Sequence, residues 1–163
     1  MSSNWQKAGP NHVPSYQTSG IPYVTSSAAD ECKEAANTVA PVQITFPYVT
    51  KFVTVNNTGG NDLRVAFTFS GSYAPGQRTT DNTLMLDTHP KNYFVIQTQA
   101  AGSTTIASFD VRCKTMFFLG DGGTTDFSLI AGLTTIPSSN FPVLTGSLGQ
   151  PGLVATGSFE GVG

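Results

Sequence analysis

The chain has 163 residues and a formal net charge of −2, with 39% hydrophobic but only 11% charged residues. An average globular domain holds about 25% charged residues, so a surface this poor in charge is unlike that of a typical free cytosolic enzyme and suits a protein that is covered by neighbours or lies outside the cell. The Lys and Arg residues form no basic run, which argues against a nucleic-acid partner, and no apolar stretch reaches the ~20 residues that span a bilayer.

Residues 1–28 are predicted to form an extended N-terminal arm. Pro10, Pro14 and Pro22 restrict the backbone too closely together for a regular helix or an alternating strand. The first seven residues contain no apolar segment, so we expect no signal peptide. Aromatic and aliphatic residues are nevertheless spaced along the arm, whereas disordered tails are typically poor in aromatics. We therefore expect the arm to dock onto its own domain or onto a neighbouring subunit. The interface candidates are Trp5, Tyr16, Ile21 and Tyr23.

Residues 29–144 are predicted to form one all-β domain. Residues 29–37 contain good helix formers and are compatible with a short helix at its start. The β-branched runs 49–55 and 63–69 flank a turn rich in Asn and Gly, a pattern that predicts a hairpin. A long polar connection, 70–91, comes next. Further strands are predicted at 42–46, 93–97, 105–109, 111–119 and 126–133.

The number and spacing of these strands indicate the architecture. Seven or eight short strands separated by turns favour a sandwich or a barrel, and a single eight-stranded jelly-roll β-sandwich fits the length of the chain. An immunoglobulin sandwich lacks its Cys…Trp…Cys spacing here, since the single tryptophan is Trp5 in the arm. Residues 145–163 are rich in Gly and are predicted to form a C-terminal arm.

No catalytic, cofactor or metal site is expected from the sequence. His12 and His89 are too few for the histidine cluster of a jelly-roll metalloenzyme, and no nucleophile-elbow motif surrounds any serine. Three carboxylates, Asp110, Asp121 and Asp126, are considered as calcium ligands. Their spacing matches no known calcium-binding loop, and Asp is a common residue in turns for structural reasons. We therefore predict that the chain is not an enzyme.

The chain contains two cysteines, Cys32 and Cys113. Their separation matches no metal-ligand spacing, and without a signal peptide disulfide formation is disfavoured. We expect both thiols to be reduced.

Four stretches of the sequence resemble small capsid proteins of large eukaryotic DNA viruses, particularly those of algae. They read NWQKAG at 4–9, NHVPSYQTSG at 11–20, FPYVTKF at 46–52 and FSLIAGLT at 127–134. The family looks like the single jelly-roll penton or minor capsid proteins, and the resemblance leaves the Gly-rich C-terminus uncovered.

The resemblance implies a structural capsid protein, with the penton subunit as the leading hypothesis. Its partners would be further copies of itself in a homopentamer, the major capsid protein and other minor capsid proteins, in a virion assembled in the host cytoplasm or a viral factory. Two alternatives stay open: a minor capsid protein between or beneath capsomers, and a carbohydrate-binding sandwich. The second would need an exposed aromatic platform, for which the candidates are Trp5, Tyr73, Tyr93 and Phe94.

Overall fold

The computed structural model describes residues 21–29, 31–33, 39–74, 76–77, 84–85, 92–98, 105–141, 144–145 and 158–159. Within these residues the regular structure is almost entirely β, which confirms the all-β prediction. The strands are β1 (Ile21–Ser26), β2 (Val42–Thr45), β3 (Tyr48–Asn57), β4 (Asp62–Ala66), β5 (Tyr93–Ile96), β6 (Thr105–Phe109), β7 (Thr115–Asp121), β8 (Phe127–Pro137), β9 (Leu144–Thr145) and β10 (Ser158–Phe159). Single 3₁₀ turns lie at Ser70–Ser72 and Ser138–Asn140.

Eight of these strands form two antiparallel sheets of four strands each. The first sheet has the order β1-β8-β3-β6 and the second sheet has the order β2-β7-β4-β5. Each of the first four strands pairs with one of the next four, in the combinations β1 with β8, β2 with β7, β3 with β6 and β4 with β5. The short strands β9 and β10 pair with each other.

The hydrophobic core lies between the two sheets. Alternate residues of the first sheet, among them Val53 and Leu129, pack in one cluster with Leu63 and Phe118 of the second sheet. The rings of Phe118 and Phe127 stack with their centroids 4.2 Å apart. The period-2 alternation of the strands therefore gives each sheet one face in the core and one outer face.

The predicted hairpin between 49–55 and 63–69 is wrong. The first run lies within β3 and the second is a strand as far as Ala66, but β3 pairs with β6 and β8 in the first sheet, while β4 pairs with β5 and β7 in the second. The turn between them crosses from one sheet to the other and packs against the start of β8. Gly59 is required there, because a Cβ at this position would lie 2.6 Å from the backbone nitrogen of Asp126.

The helix considered for 29–37 does not begin where the sequence placed it. Cys32 forms an antiparallel bridge with Thr125, and the Thr125 amide donates to the Cys32 carbonyl oxygen at 2.9 Å. The Gly120 amide donates to the Lys33 carbonyl oxygen at the same distance. Tertiary pairing therefore overrides the helix propensity of this segment over residues 31–33. Residues 34–38 lie outside the described residues.

The boundary between the arm and the domain also moves. Residues 21–26 were assigned to the extended arm, but as β1 they pair with β8 over six residue positions, from Ile21 opposite Leu133 to Ser26 opposite Ser128. The sheet structure of the described residues therefore already includes Ile21–Ser26, ahead of the predicted boundary at residue 29. Residues 1–20 of the predicted arm lie outside the described residues, as do most of the residues in 145–163.

Candidate interaction surface

The outer face of the first sheet, here called the bare face, is defined by the strand register. Val24 lies opposite Ile130, and Ile130 lies opposite Thr54 on its other side. Thr54 in turn lies opposite Ser108, so these side chains form one row across all four strands. Neighbouring rows complete the face, whose eleven residues are Pro22, Val24, Ser26, Phe52, Thr54, Asn56, Ile106, Ser108, Ser128, Ile130 and Gly132.

Aliphatic side chains on the bare face are strongly exposed. Val24 is 69% exposed, Ile106 63% and Ile130 45%. None of the eleven residues is charged, but two exposed charged residues border the face: Lys51, next to Phe52 in β3, and Asp110, directly after β6. Single exposed aliphatic residues are ordinary, but a group of them on one sheet face is typical of a surface that a partner covers.

The strands at the two edges of the first sheet also lack charge. β1 reads IPYVTS and β6 reads TIASF. Edge strands of soluble proteins are commonly protected from further association by charged residues, by proline or by a covering loop. Here Pro22 is the one such residue in the two strands. Among the described residues, neither edge strand pairs with a further strand on its outer side.

The outer face of the second sheet is in contrast covered by the chain's own connection between β4 and β5. Tyr73 and Met85 of this connection are buried in a cluster with Leu119 of β7 and with Val39. The Tyr73 hydroxyl donates to the Val39 carbonyl oxygen at 2.7 Å. We call the described residues 67–74, 76–77 and 84–85 the covering segment. The parts of the long 70–91 connection that the structure describes thus pack on their own domain.

Arg64 fixes the covering segment to the second sheet. Its guanidinium group forms a 2.6 Å ion pair with Asp121 and donates to the Gln77 side-chain oxygen at 2.9 Å. It also lies over the ring of Tyr93, 4.5 Å from the ring centre. The arginine side chain is only 7% exposed, so removal of Asp121 would leave a nearly buried guanidinium group without its ion-pair partner.

Two of the predicted interface residues are used by the chain's own core. Ile21 and Tyr23 are partly buried on the inner face of β1 and pack against the main cluster. The Tyr23 ring contacts Phe46 edge-on, with centroids 5.2 Å apart. Trp5 and Tyr16 lie outside the described residues.

Two of the three carboxylates considered for calcium take part in other interactions. Asp121 is paired with Arg64, and Asp126 accepts a hydrogen bond from the Ser27 hydroxyl at 3.3 Å. Across the described part of the chain, no group of three His, Cys, Asp or Glu residues is placed to hold a metal ion. His12 and His89 lie outside the described residues.

The aromatic residues considered for glycan binding are likewise dispersed. Tyr73 belongs to the covering segment and is fully buried, and the ring of Tyr93 is covered by the guanidinium group of Arg64. Phe94 is 54% exposed but packs edge-on against Phe109, with centroids 5.5 Å apart, at the side where the two sheets meet. These three residues do not form one platform.

Both cysteines are buried free thiols. Burial, helped by the negative charges of Glu31 and Asp126, raises the pKa of Cys32 to about 12. Burial also raises the pKa of Cys113 to about 11, although a contact with the Thr50 hydroxyl opposes the shift. A nucleophilic or metal-binding cysteine needs a lowered pKa and access, so these thiols act as core residues.

An open depression of about 480 Å³ lies beside β2 and is lined by Glu31, Lys33 and residues 39–43. Its lining contains one carboxylate and one lysine, and no Ser, Thr, Cys or His. No helix in the described ranges is both long and apolar enough to cross a membrane.

Searches against protein-family models, curated proteins and solved structures found no match to this chain.

Sequence reasoning missed the bare face, although a signal for it was present. In β8 the buried positions Phe127, Leu129, Ala131 and Leu133 alternate, and Ile130 is an aliphatic residue in the opposite phase. In β1, Val24 stands in the opposite phase to Ile21 and Tyr23. An aliphatic residue out of phase marks apolar surface on the solvent side of a strand.

Proposed function

We propose that this chain is a structural viral capsid protein, and specifically the penton subunit, which forms a pentameric ring at an icosahedral vertex and contacts the major capsid protein. The observation that carries the proposal is the bare face, an exposed sheet surface with aliphatic side chains and no charge. The resemblance of four stretches of the sequence to small capsid proteins names the assembly. The activity proposed is burial of surface between subunits, without catalysis.

The order of the strands supports a finer proposal, that the sandwich is a jelly roll. The chain from β1 to β4 pairs antiparallel with the chain from β5 to β8, as in one long hairpin. Its four strand pairs are divided between the two sheets. The further pairs, β3 with β8 and β4 with β7, each join two of these strand pairs into one four-stranded sheet. Double-sheet jelly rolls have eight strands arranged as two Greek keys.

The proposed site of assembly is the host cytoplasm or a viral factory, followed by incorporation into the virion. Two buried free thiols with raised pKa values are compatible with folding in a reducing compartment. The net charge of −2 favours protein partners over nucleic acid.

The oligomeric mass of the purified full chain tests the proposal. Native mass spectrometry and sedimentation velocity over a range of concentrations are expected to give a species of five copies, and electron microscopy is expected to show a ring. A chain that stays monomeric at every concentration would contradict the penton assignment and favour a minor capsid or binding role.

A further inference from the structure

The two edge strands of the first sheet have outward backbone groups that no described strand uses. β1 pairs only with β8, and β6 pairs only with β3. In an antiparallel pair, successive residues direct their N–H and C=O groups alternately towards the partner strand and away from it. Each edge therefore presents a backbone donor and acceptor at every second residue, and the hydrogen bonds within the sheet show which residues these are.

At the edge of β1 the outward residues include Val24 and Ser26. The Ser27 amide donates to the Phe127 carbonyl oxygen at 2.9 Å and continues the ladder between β1 and β8. Odd-numbered residues of β1 therefore face β8, and even-numbered residues face outward. Pro22 also faces outward but has no N–H, which is the orientation that a sheet edge tolerates for proline. Val24 and Ser26 supply the amide donors of this edge.

At the edge of β6 the outward residues are Ile106 and Ser108. The Thr58 amide donates to the Asp126 carbonyl oxygen at 2.9 Å, so even-numbered residues of β3 face β8. Odd-numbered residues of β3 pair with odd-numbered residues of β6, which leaves the even-numbered residues of β6 outward. β6 itself contains no proline and no charge, although the exposed Asp110 follows it directly.

The two edges are complementary in direction and in phase. Every neighbouring pair in the order β1-β8-β3-β6 is antiparallel, so β1 and β6 run in opposite directions. A second copy that continues the sheet in the same orientation therefore places its β1 antiparallel to β6 of the first copy. The outward residues of both edges carry their side chains on the bare face, so this pairing keeps the bare faces of the two copies on one side.

Exposed apolar side chains lie at both edges. Val24 is 69% exposed and Ile106 63%, more than any other large hydrophobic residue of the described chain. Side chains that lie directly or diagonally opposite each other on paired strands are within about 8 Å. If Val24 lies opposite Ser108 of a second copy, Ser26 lies opposite Ile106, and Val24 and Ile106 become diagonal neighbours. Strand pairing then also removes apolar surface from water.

Symmetry distinguishes this pairing from its alternatives. Pairing of β1 with β1, or of β6 with β6, has a two-fold axis and ends at a dimer. Pairing of β1 with β6 leaves each copy one edge of each kind. Such a contact continues from copy to copy and closes into a ring when the rotation between copies allows it.

We infer that β1 of one copy pairs antiparallel with β6 of a second copy of this chain, with Val24 opposite Ser108 and Ser26 opposite Ile106. The inference rests on the proposed ring function and names the strands that join neighbouring copies. Each of the two residue pairs exchanges both of its N–H···O bonds. The pairing ends where Pro22 of one copy comes opposite Asp110 of the other, because Pro22 has no N–H to donate.

Cross-linking between two single-cysteine variants tests this pairing. One preparation carries Val24→Cys and the other carries Ser108→Cys, and the natural thiols are buried. The two preparations are dissociated, mixed, reassembled and treated with a short bis-maleimide. Cross-linked dimers are expected in the mixture and not in either preparation alone. A matched control mixture replaces Ser108→Cys with Gln43→Cys, at an exposed position in the edge strand β2 of the second sheet, and should give no cross-link.

The outcomes separate the inference from the proposed function. Cross-linking of either variant to itself would show that like edges meet and would overturn the pairing of β1 with β6. Rings that form without any cross-link in the mixture would overturn the pairing and leave the penton function standing. The expected cross-link in an assembly that does not contain five copies would support the pairing and overturn the penton function. A monomer under all conditions would overturn both.

Removal of one outward N–H provides a second test, independent of cross-linking. Val24→Pro is expected to weaken association by roughly tenfold or more, because it removes an amide that the pairing uses. Val24→Thr keeps the amide and the β-branched shape and should change association by less than about threefold. Circular dichroism checks that both variants fold, as the outward Pro22 in the same strand leads us to expect. Equal association of the two folded variants would overturn the inference.

Discussion

Two neighbouring asparagines at the end of β3 differ sharply in their hydrogen bonding. The Asn57 amide nitrogen donates to the carbonyl oxygens of Asn61 and Ile96, at 2.9 and 3.2 Å. Its side-chain oxygen accepts from the Gly59 amide at 3.2 Å and the Thr125 hydroxyl at 2.9 Å. The side-chain oxygen of Asn56 is buried without a hydrogen-bond partner. Asn57 therefore ties the turn after β3 to β5 and to the segment before β8.

Substitution of each asparagine by alanine tests this difference. Asn57→Ala should lower the free energy of unfolding by about 3 kcal/mol, because it leaves buried partners unsatisfied. Asn56→Ala is the matched control and should change it by less than about 1 kcal/mol, since it removes a group that is already unpaired. Urea unfolding monitored by circular dichroism measures both values. Equal losses for the two variants would contradict the role given to Asn57.

The buried thiols predict a loss of stability at alkaline pH. The pKa values of Cys32 and Cys113, about 12 and about 11, lie above the value of 9.0 for a free thiol. The folded protein therefore holds these protons more tightly than the unfolded chain. Their contribution is complete below pH 9 and falls as the pH rises from 9 towards the folded-state pKa values, by about 1.4 kcal/mol per pH unit for each thiol.

Denaturant unfolding at pH 8, 9 and 10 measures this dependence. The Cys32→Ala/Cys113→Ala variant is the control, because it retains the titrating lysines and tyrosines but lacks the thiols. Its stability should fall less between pH 9 and 10 than that of the natural chain. The same fall in both proteins would show that the thiols do not titrate as described.

At the scale of elements, β1 changes the effect that we expect from removing the N-terminal residues. The sequence placed residues 1–28 in an arm, so that their removal was expected to leave the domain folded. In the structure β1 covers one side of β8 and contributes Ile21 and Tyr23 to the core. The useful boundary for separating assembly from folding therefore lies before Ile21.

Two truncations test this boundary. The chain that lacks residues 1–28 should be less stable than the chain that lacks residues 1–20 by at least about 3 kcal/mol, through lost apolar burial and lost strand pairing of β1. Thermal unfolding followed by circular dichroism distinguishes the two. If residues 1–20 clamp a neighbour, as the proposed penton requires, the shorter truncation should also weaken ring formation. Equal melting temperatures for the two truncations would contradict the structural role of β1.

At the scale of the whole molecule, the two sides of the sandwich differ in what covers them. The second sheet is closed by its own connection, which Arg64 holds in place through Asp121 and Gln77. The first sheet has no comparable cover in the described residues. An association through the bare face should depend mainly on apolar burial, since none of its eleven residues is charged.

The salt dependence of assembly follows from that difference. Screening shortens the reach of charge interactions from about 10 Å at 0.1 M salt to about 3 Å at 1 M. The concentration at which the ring dissociates should therefore change by less than about threefold over this range. Sedimentation velocity or mass photometry gives the measurement. A weakening of roughly tenfold or more would indicate a contact built on ion pairs and would contradict association through the apolar residues of the bare face.

The sequence by itself determined the class of the fold and the phase of most strands. Alternation in runs such as 127–131 identifies core positions because one face of a strand must be buried, and that requirement does not depend on the partner strand. It also indicated that the surface would be poor in charge. The out-of-phase residues Val24 and Ile130 were readable in the same way, as a second apolar face.

The tertiary structure alone decided which strands pair and which face is covered. The turn at 56–62 has the residue types of a hairpin turn, yet β3 and β4 belong to different sheets. Hydrogen bonds of the Asn57 side chain to Gly59 and Thr125 hold the turn in the conformation that crosses between the sheets. Residues 31–33 have helix propensity, yet Cys32 bridges to Thr125. Such pairings join residues that are distant in sequence, and their free energy depends on groups that local patterns do not contain. For the same physical reason, the bare face could be located only once the register had brought Val24, Ile130 and Ile106 onto one surface.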